Sequence, residues 1–179
     1  MSLKTRFGNL GNILDFDNLT EEDIYVLDSP ILTNSQFKKF KKFFSKKIKV
    51  IDCTFDIQNS LKDRIEAIRE EAETAVREGS TCIVLSDKNF SSEKASIPSI
   101  LTVGAVHSHL VKHGLRGYCS LNVECSDAMD THSFAILIGV GATTVNPYLA
   151  IDSIYQRFEK KLFGKTDFET CISKFKKSI

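Results

Sequence analysis

The chain has 179 residues, enough for one domain with a substantial apolar core. Its formal charge of +1 supplies no general field that would attract nucleic acid or an anionic membrane, and no apolar run is long enough to span a bilayer. Residues 1–20 lack the pattern of a secretory leader, so we expect a cytosol-like compartment. The odd number and wide scatter of the cysteines favour reduced, buried thiols over disulfides or metal ligands: Cys53, Cys82, Cys119, Cys125 and Cys171.

The lysine-rich segment near the start of the chain predicts an amphipathic helix rather than a binding patch. Phe37, Phe40 and Phe44 recur at helical spacing, with lysines between them. This spacing places the rings on an inner face and the lysines in solvent, whereas a nucleic-acid or membrane patch would use the lysines for binding.

A β–α–β unit follows this helix. Residues 48–53 form a short β-branched run, and residues 60–79 carry apolar side chains at helical spacing, with Ser60 as a plausible N-cap and Gly79 as a C-terminal stop. Residues 81–86 form a continuous apolar run of strand length, which suits a strand covered on both faces of a parallel sheet.

The same alternation continues along the chain. Pro98 can start a helix that runs to His113, and residues 118–124 supply a third strand. Residues 131–140 and 147–162 predict two further helices, separated by a turn of small residues. This order predicts an α/β fold with a mainly parallel sheet and flanking helices, resembling a rudimentary or incomplete β/α barrel.

All the histidines lie in one part of the sequence, which invites a metal or proton-transfer interpretation. His109 and His113 are spaced i, i+4 and can face one site, whereas His107 points about 200° away from His109 around the helix. Because there is no HExxH glutamate and no cysteine at zinc-finger spacing, we predict no metal site. The alternative role for these rings is to bond the ends of neighbouring helices and strands.

A polar cluster of His109, His113, Asp127 and His132 is the candidate site that the residues themselves suggest. Glu124 ends the third predicted strand, and the carboxyl ends of strands are where α/β folds place ligand-binding groups. Two carboxylates near a histidine suit acid–base work. Helix capping is the favoured alternative, because Asp127 and Asp130 are equally placed to cap the helix that begins near Thr131.

Three stretches of the sequence match one family in length and order. They are the run Ile97–Asp152, the segment Asp28–Asn34 with DSP followed by ILTN, and the motifs MSL and GNIL within residues 1–14. Together they resemble the central domain of the large subunit of glutamate synthase. That family is known for flavin and iron–sulfur enzymes that make glutamate from glutamine and 2-oxoglutarate.

The resemblance implies that the chain is part of a longer one. The central domain would occupy residues 1–163, and residues 164–179 would form a helix or connector toward an FMN domain. No catalytic residue, cofactor or metal is implied here, because FMN and an iron–sulfur cluster would belong to other parts of the parent enzyme. The implied partners are the amidotransferase and FMN domains of the same chain, with a small NADPH-oxidising subunit or ferredoxin for the parent enzyme.

The resemblance also implies a role as a connector that walls an internal ammonia channel. The family's Thr-Asn pair at the channel entrance corresponds to Thr33 and Asn34. A hydroxyl and a carboxamide can pass ammonia by exchanging hydrogen bonds. Either residue also makes a good N-cap for the helix carrying Phe37, and both roles can hold together.

Two other functions remain open at this point. One is a freestanding binding or regulatory module that has the same fold but no catalytic domains, and the other is an independent enzyme that uses the histidines and carboxylates. The resemblance implies a cytoplasmic location, or the plastid stroma in a photosynthetic eukaryote. Surfaces that normally meet neighbouring domains would be uncovered, so we also expect an apolar patch and self-association of the isolated domain.

Overall fold

A computed structural model describes residues 5–7 and 25–179 of the chain. The MSL and GNIL motifs lie outside these residues. The elements of the described part, in chain order, are β1 (Thr5–Phe7), β2 (Tyr25–Leu27), α1 (Asn34–Phe43), β3 (Ile48–Asp52), β4 (Thr54–Asp56), α2 (Leu61–Arg77), β5 (Cys82–Ser86), β6 (Lys94–Ser96), α3 (Ser99–Lys112), β7 (Ser120–Glu124), α4 (Thr131–Gly139), β8 (Thr144–Asn146), α5 (Tyr148–Glu159) and α6 (Phe168–Ser178).

A parallel sheet of four strands, in the order β3-β5-β7-β8, forms the centre of the fold. Ile31 adds a parallel bridge to Val145 at the β8 edge, where the backbone N–H of Leu32 donates to the Val145 carbonyl at 2.9 Å. Two short antiparallel pairs, β1 with β2 and β4 with β6, accompany this sheet. The predicted α/β fold with a parallel sheet and an incomplete barrel-like form is confirmed. No helix of the described part is long and apolar enough to cross a membrane.

One face of the sheet packs against helices α2, α3 and α4 to form the main core. Because side chains alternate between the two faces of a strand, Ile83 and Leu85 of β5 point to this same face. Both are almost completely buried. The sheet and the helices together supply the apolar cluster Ile51, Ile68, Ala72, Ile83, Leu85, Val103, Val106, Leu110, Leu121, Val123, Phe134, Leu137 and Val145.

Helix α1 covers part of the opposite face. Phe37 and Phe40 are buried in a second apolar cluster with Cys82 and Val84 of β5, while Phe44 packs against it half-buried. The lysines between these rings lie at exposed or half-buried positions. The predicted amphipathic helix with an apolar inner face is therefore confirmed.

The structure also corrects the sequence analysis at β8. Thr144–Asn146 is a buried strand of three residues, in a place where the sequence predicted only a turn between two helices. Three residues are too few to show the alternation of a strand, and the stronger periodicity of the neighbouring helices dominates the local pattern. The predicted turn itself is confirmed at Gly141, whose φ of +117° is open to glycine but strained for other residues.

Candidate polar site at the carboxyl edge of the sheet

Each strand of the parallel sheet ends in a polar residue. Asp52 of β3 pairs in register with Ser86 of β5, Ser86 with Glu124 of β7, and Glu124 with Asn146 of β8. Partners in register lie on the same face, so these four side chains form one row across the sheet. Carboxyl ends of parallel strands are where α/β folds place ligand-binding groups. We call this row, with the side chains that contact it, the carboxyl-edge site.

Glu124 is the charged centre of the site. Its side chain is only 4% exposed and is held by Lys88 at 2.9 Å and Lys41 at 3.1 Å. The Ser86 hydroxyl donates a further hydrogen bond at 2.9 Å. Burial acts to raise the pKa of Glu124, but the hydrogen bond from Lys88 and the charge of Lys41 outweigh it, so the pKa is lowered from its ordinary 4.5. A buried carboxylate therefore stays ionised here.

Asp87 lies directly after β5, and only one of its two carboxylate oxygens accepts hydrogen bonds of normal geometry from described residues. Its Oδ2 accepts hydrogen bonds from the Ser96 hydroxyl at 3.0 Å and from the Ser126 backbone N–H and hydroxyl at 2.9 and 2.6 Å. Its Oδ1 is buried and accepts no hydrogen bond from the described residues. A buried acceptor without a donor can bind a small molecule that donates one.

Tyr148, the first residue of α5, lies beside Asp87 and is 6% exposed. Its hydroxyl completes no hydrogen bond of normal geometry within the described part of the chain. Burial, followed by the negative charge of the nearby Asp87 carboxylate and its hydrogen-bonding contact with the hydroxyl, raises the pKa of Tyr148, so the hydroxyl keeps its proton. The Lys88 ammonium lies 4.9 Å from the centre of the ring.

Asn34 reaches the same row from the start of α1. Asn146 donates to the Asn34 Oδ1 at 3.0 Å and to the Leu32 carbonyl at 2.9 Å. The amide nitrogen of Asn34 donates in turn to Asp152 at 2.9 Å. The Oδ1 of Asn146 is buried and accepts no hydrogen bond from any residue that the structure describes. Asn34 thus connects α1 and α5 to the end of β8.

Thr33 has a local role as the N-cap of α1. Its hydroxyl accepts from the Gln36 backbone N–H at 3.2 Å, and the Gln36 side chain accepts from the Thr33 N–H at 3.0 Å. This reciprocal pair is a capping box. The predicted capping role is confirmed for Thr33, while the Asn34 side chain is the one that points to the sheet.

The predicted polar cluster of His109, His113, Asp127 and His132 separates into two places. Asp127 accepts hydrogen bonds at the N-terminus of α3, from the Ser99 backbone N–H at 2.9 Å and hydroxyl at 2.6 Å. Asp127 and His132 both line a cavity of about 140 Å³ between α3 and α4. His109 and His113 lie at the other end of α3, where the His113 Nδ1 bonds the His109 carbonyl at 2.8 Å.

The capping predictions have different outcomes for the two aspartates beside α4. Asp130 caps α4 by accepting from the Ser133 N–H at 2.8 Å. Asp127 caps α3 instead, because the chain between β7 and α4 passes the N-terminus of α3. The predicted capping of α4 is therefore confirmed for Asp130 and wrong for Asp127.

His107 belongs to a clamp at the opposite, amino edge of the sheet. The Arg116 guanidinium donates to the His107 Nδ1 at 3.1 Å and to the carbonyls of Cys119 and Gly141 at 2.6 and 2.8 Å. Burial and then the charge of Arg116 lower the pKa of His107 from 6.5, so the ring is neutral. This ring bonds the ends of neighbouring elements, as the alternative to a metal site anticipated.

The cysteines are all free, and Cys171 alone is partly exposed. Burial raises the pKa of Cys53 and of Cys82 to about 12. These two thiols are therefore protonated and unreactive at neutral pH. The expectation of buried thiols is confirmed for four of the five cysteines, and Cys171 is the exception.

Sequence reasoning found only part of the carboxyl-edge site. It noted Glu124 as a strand end and Asn34 as a channel residue. It missed Asp52 and Ser86, although Ser86 ends the predicted strand 81–86 and Asp52 is the last polar residue of the run 48–53, a signal that was present in the sequence. It could not find Asn146, because β8 itself was missed.

Comparison with known sequences agrees with the fold. The family model described as glutamate synthase central domain matches residues 1–179. The chain is 46% identical to the NADPH glutamate synthase large chain of Azospirillum brasilense, covering 100% of this chain and 12% of that protein.

Two further relatives come from a plant and a second bacterium. The chloroplastic ferredoxin-dependent glutamate synthase of Spinacia oleracea is 37% identical over 87% of this chain and 10% of its own length. The NADPH glutamate synthase large chain of Bacillus subtilis is 38% identical over 86% of this chain and 10% of its own length. The chain spans about a tenth of the length of these relatives. It therefore belongs to the glutamate synthase central domain family.

Proposed function

We propose that this domain connects the amidotransferase and FMN domains of a glutamate synthase and walls the path that ammonia takes between them. The parent reaction converts L-glutamine, 2-oxoglutarate and two electrons into two L-glutamates. The observation that carries this proposal is the contact between Asn34 and the polar row of the sheet. The Thr33–Asn34 pair, which the family resemblance associates with the channel entrance, lies beside buried polar atoms that accept no hydrogen bond from described residues.

The chemistry of this edge suits a small molecule that donates hydrogen bonds. The free Oδ1 atoms of Asp87 and Asn146 are acceptors, and ammonia has N–H groups to give them. Glu124 is fully paired by two lysines, so its charge is neutralised and does not hold an ammonium ion. A path lined in this way passes the molecule on through hydrogen bonds of moderate strength.

The connecting role is supported by apolar side chains that face solvent. Ile57, Tyr118 and Leu162 are 63–66% exposed. Val50, in the same register row as the buried Val84, is 48% exposed at the free edge of the sheet. Such residues fit contact with neighbouring domains of the same chain, and the expected self-association of the isolated domain stays a prediction.

The cofactors of the parent enzyme would be held by other domains. An iron–sulfur cluster needs several cysteine thiolates converging on one site. Here Cys53, Cys82 and Cys125 are buried and their thiol pKa values are raised, mainly by burial, which does not suit cluster binding. We propose that FMN and the iron–sulfur cluster lie outside this domain.

A chimera tests the proposal. The chain would replace the matching segment of the Azospirillum NADPH glutamate synthase, which is 46% identical over 100% of this chain. The measurement is the ratio of glutamine hydrolysed to NADPH oxidised, together with the rate supported by free ammonia. We expect a ratio near one for the unchanged chain. Thr33→Val and Asn34→Ala should raise the ratio, because ammonia escapes, while the rate with free ammonia is retained.

A matched control separates channel loss from helix capping. Ser60 caps α2 by accepting from the Asp63 N–H at 3.3 Å, and it lies at the β3 side of the sheet, whereas Asn34 contacts the β8 side. Ser60→Ala and Thr33→Val should each lower stability by about 1 kcal/mol. If both variants keep the ratio at one, Thr33 acts as a cap only. If Asn34→Ala also keeps it at one, the channel proposal fails. If the chimera that carries the unmutated chain hydrolyses glutamine and oxidises NADPH in no fixed ratio, the result favours a freestanding module.

A further inference from the structure

Helices α2 and α3 bring together three side chains of the kinds that bind transition metals. Glu73 lies near the end of α2, while His109 and His113 lie near the end of α3, one helical turn apart. Each offers one ligand atom, and these atoms all lie within 4.8 Å of one another. The sequence predicted no metal here because it lacks an HExxH motif. The carboxylate comes instead from Glu73, 36 residues before His109.

The two rings approach the Glu73 carboxylate through one nitrogen each. The His109 Nε2 lies 2.6 Å from the Glu73 Oε2 and shares a proton with it. The His113 Nδ1 lies 3.8 Å from the same oxygen and 2.8 Å from the His109 carbonyl oxygen. A divalent ion bound here would replace the proton between His109 and Glu73, and His113 would exchange its hydrogen bond to the carbonyl for a bond to the ion.

The surroundings hold the ligands in place. Arg77 donates to the Glu73 Oε1 at 2.8 Å, which leaves Oε2 directed at His109. Metal-binding carboxylates usually have such outer partners. The side chains of His109, Glu73 and His113 are 12%, 21% and 35% exposed, so the group is partly buried yet open to solvent.

We propose that Glu73, His109 and His113 bind one Zn²⁺ ion, with water completing its coordination, and so join the ends of α2 and α3. Two imidazoles and one carboxylate with an open position form a ligand set that Zn²⁺ accepts. The site lies near the amino edge of the sheet, because α2 and α3 end just before β5 and β7 begin. It is therefore separate from the carboxyl-edge site and independent of the proposed ammonia path.

Titration of the untagged chain with Zn²⁺, followed by calorimetry, tests the proposal. A Cys171→Ser background removes the one partly exposed thiol. We expect saturable one-to-one binding and a higher Tm with Zn²⁺ than with Mg²⁺. His109→Ala and His113→Ala should each weaken binding by at least about tenfold, and Glu73→Gln should do so with little change in side-chain shape. His132→Ala, which removes an imidazole at the other end of α3, is the matched control and should bind as the parent does.

Co²⁺ gives a second readout that does not depend on stability. Nitrogen and oxygen ligands should produce visible d–d bands without the near-ultraviolet charge-transfer band of a thiolate. Both the bands and the binding should disappear in the His109→Ala and His113→Ala variants. The proposal is overturned if binding does not saturate, if these two variants bind as the parent does, or if the Co²⁺ spectrum shows thiolate ligands.

Discussion

The two edges of the parallel sheet carry polar groups of opposite character. At the amino edge, Arg116 forms a clamp whose acceptors are His107 and backbone carbonyls, and its guanidinium is in use on several sides. At the carboxyl edge, Asp87, Asn146 and Tyr148 each have a buried polar atom with no hydrogen bond to the described residues. The Arg116 clamp therefore serves stability, whereas the carboxyl edge retains buried polar groups that are open to a ligand.

The difference has an energetic meaning. A buried polar atom that lacks a hydrogen bond lowers stability by about 1–3 kcal/mol. Three of the four such side-chain atoms in the described part of the chain lie at the carboxyl edge, and the fourth is the Nε of Arg69 in α2. Their concentration at the edge where α/β folds bind ligands favours a functional reason for keeping them.

The largest expected effect comes from filling space at the amino edge. A Cβ added at Gly141 would lie 2.2 Å from the His107 Nδ1, and the backbone φ of +117° is itself strained for alanine. Gly141→Ala should therefore lower the free energy of unfolding by about 3 kcal/mol or more, since overpacking and strain add. Urea denaturation measures this change.

Gly104→Ala provides the matched control for that substitution. Gly104 lies inside α3, and nothing lies within 4 Å of an added Cβ. Alanine is preferred over glycine within a helix, so this variant should gain about 0.5–1 kcal/mol. A similar small effect at Gly141 would mean that the clamp is not tightly packed.

The contrast between the edges also explains what the sequence could and could not predict. Periodicity located the long helices and the strands β3, β5 and β7, because each is long enough to show its own pattern. It missed β8 and the partners of Arg116, which are backbone carbonyls brought close only by the fold. Pairings such as Glu73 with His109 join residues that are far apart in the sequence, so they leave no local sequence signal.

The next effect is expected at Glu124, the paired group of the carboxyl edge. Glu124→Gln keeps the shape but removes the charge that two lysines and Ser86 contact, so stability at neutral pH should fall by about 2 kcal/mol. Because the folded pKa of Glu124 is lowered, its contribution is present above about pH 4.5 and is lost as the pH falls further. The variant should therefore lose less stability than the parent between neutral pH and this acidic range.

A smaller effect of pH separates the two edges. The folded pKa of His107 is lowered from 6.5, so the folded state favours the neutral ring, and stability should decline as the pH falls below about 6.5. Because glutamine cannot titrate, His107→Gln should reduce the pH dependence of stability near pH 6.5. The loss of stability at lower pH that is due to Glu124 should stay unchanged. If the stability profile of this variant matches that of the parent, titration of His107 does not contribute to stability in this pH range.

The smallest effect on stability is expected at Tyr148, where the contrast between the edges is most direct. Its hydroxyl is buried without a hydrogen bond of normal geometry, so Tyr148→Phe removes an unsatisfied group and keeps the ring under Lys88. Stability should stay the same or rise by up to about 1 kcal/mol. In the chimeric enzyme, the same variant should raise the ratio of glutamine hydrolysed to NADPH oxidised if this hydroxyl borders the ammonia path. A loss of stability would show instead that the hydroxyl makes a stabilising hydrogen bond to Asp87, and the carboxyl edge would then resemble the amino edge.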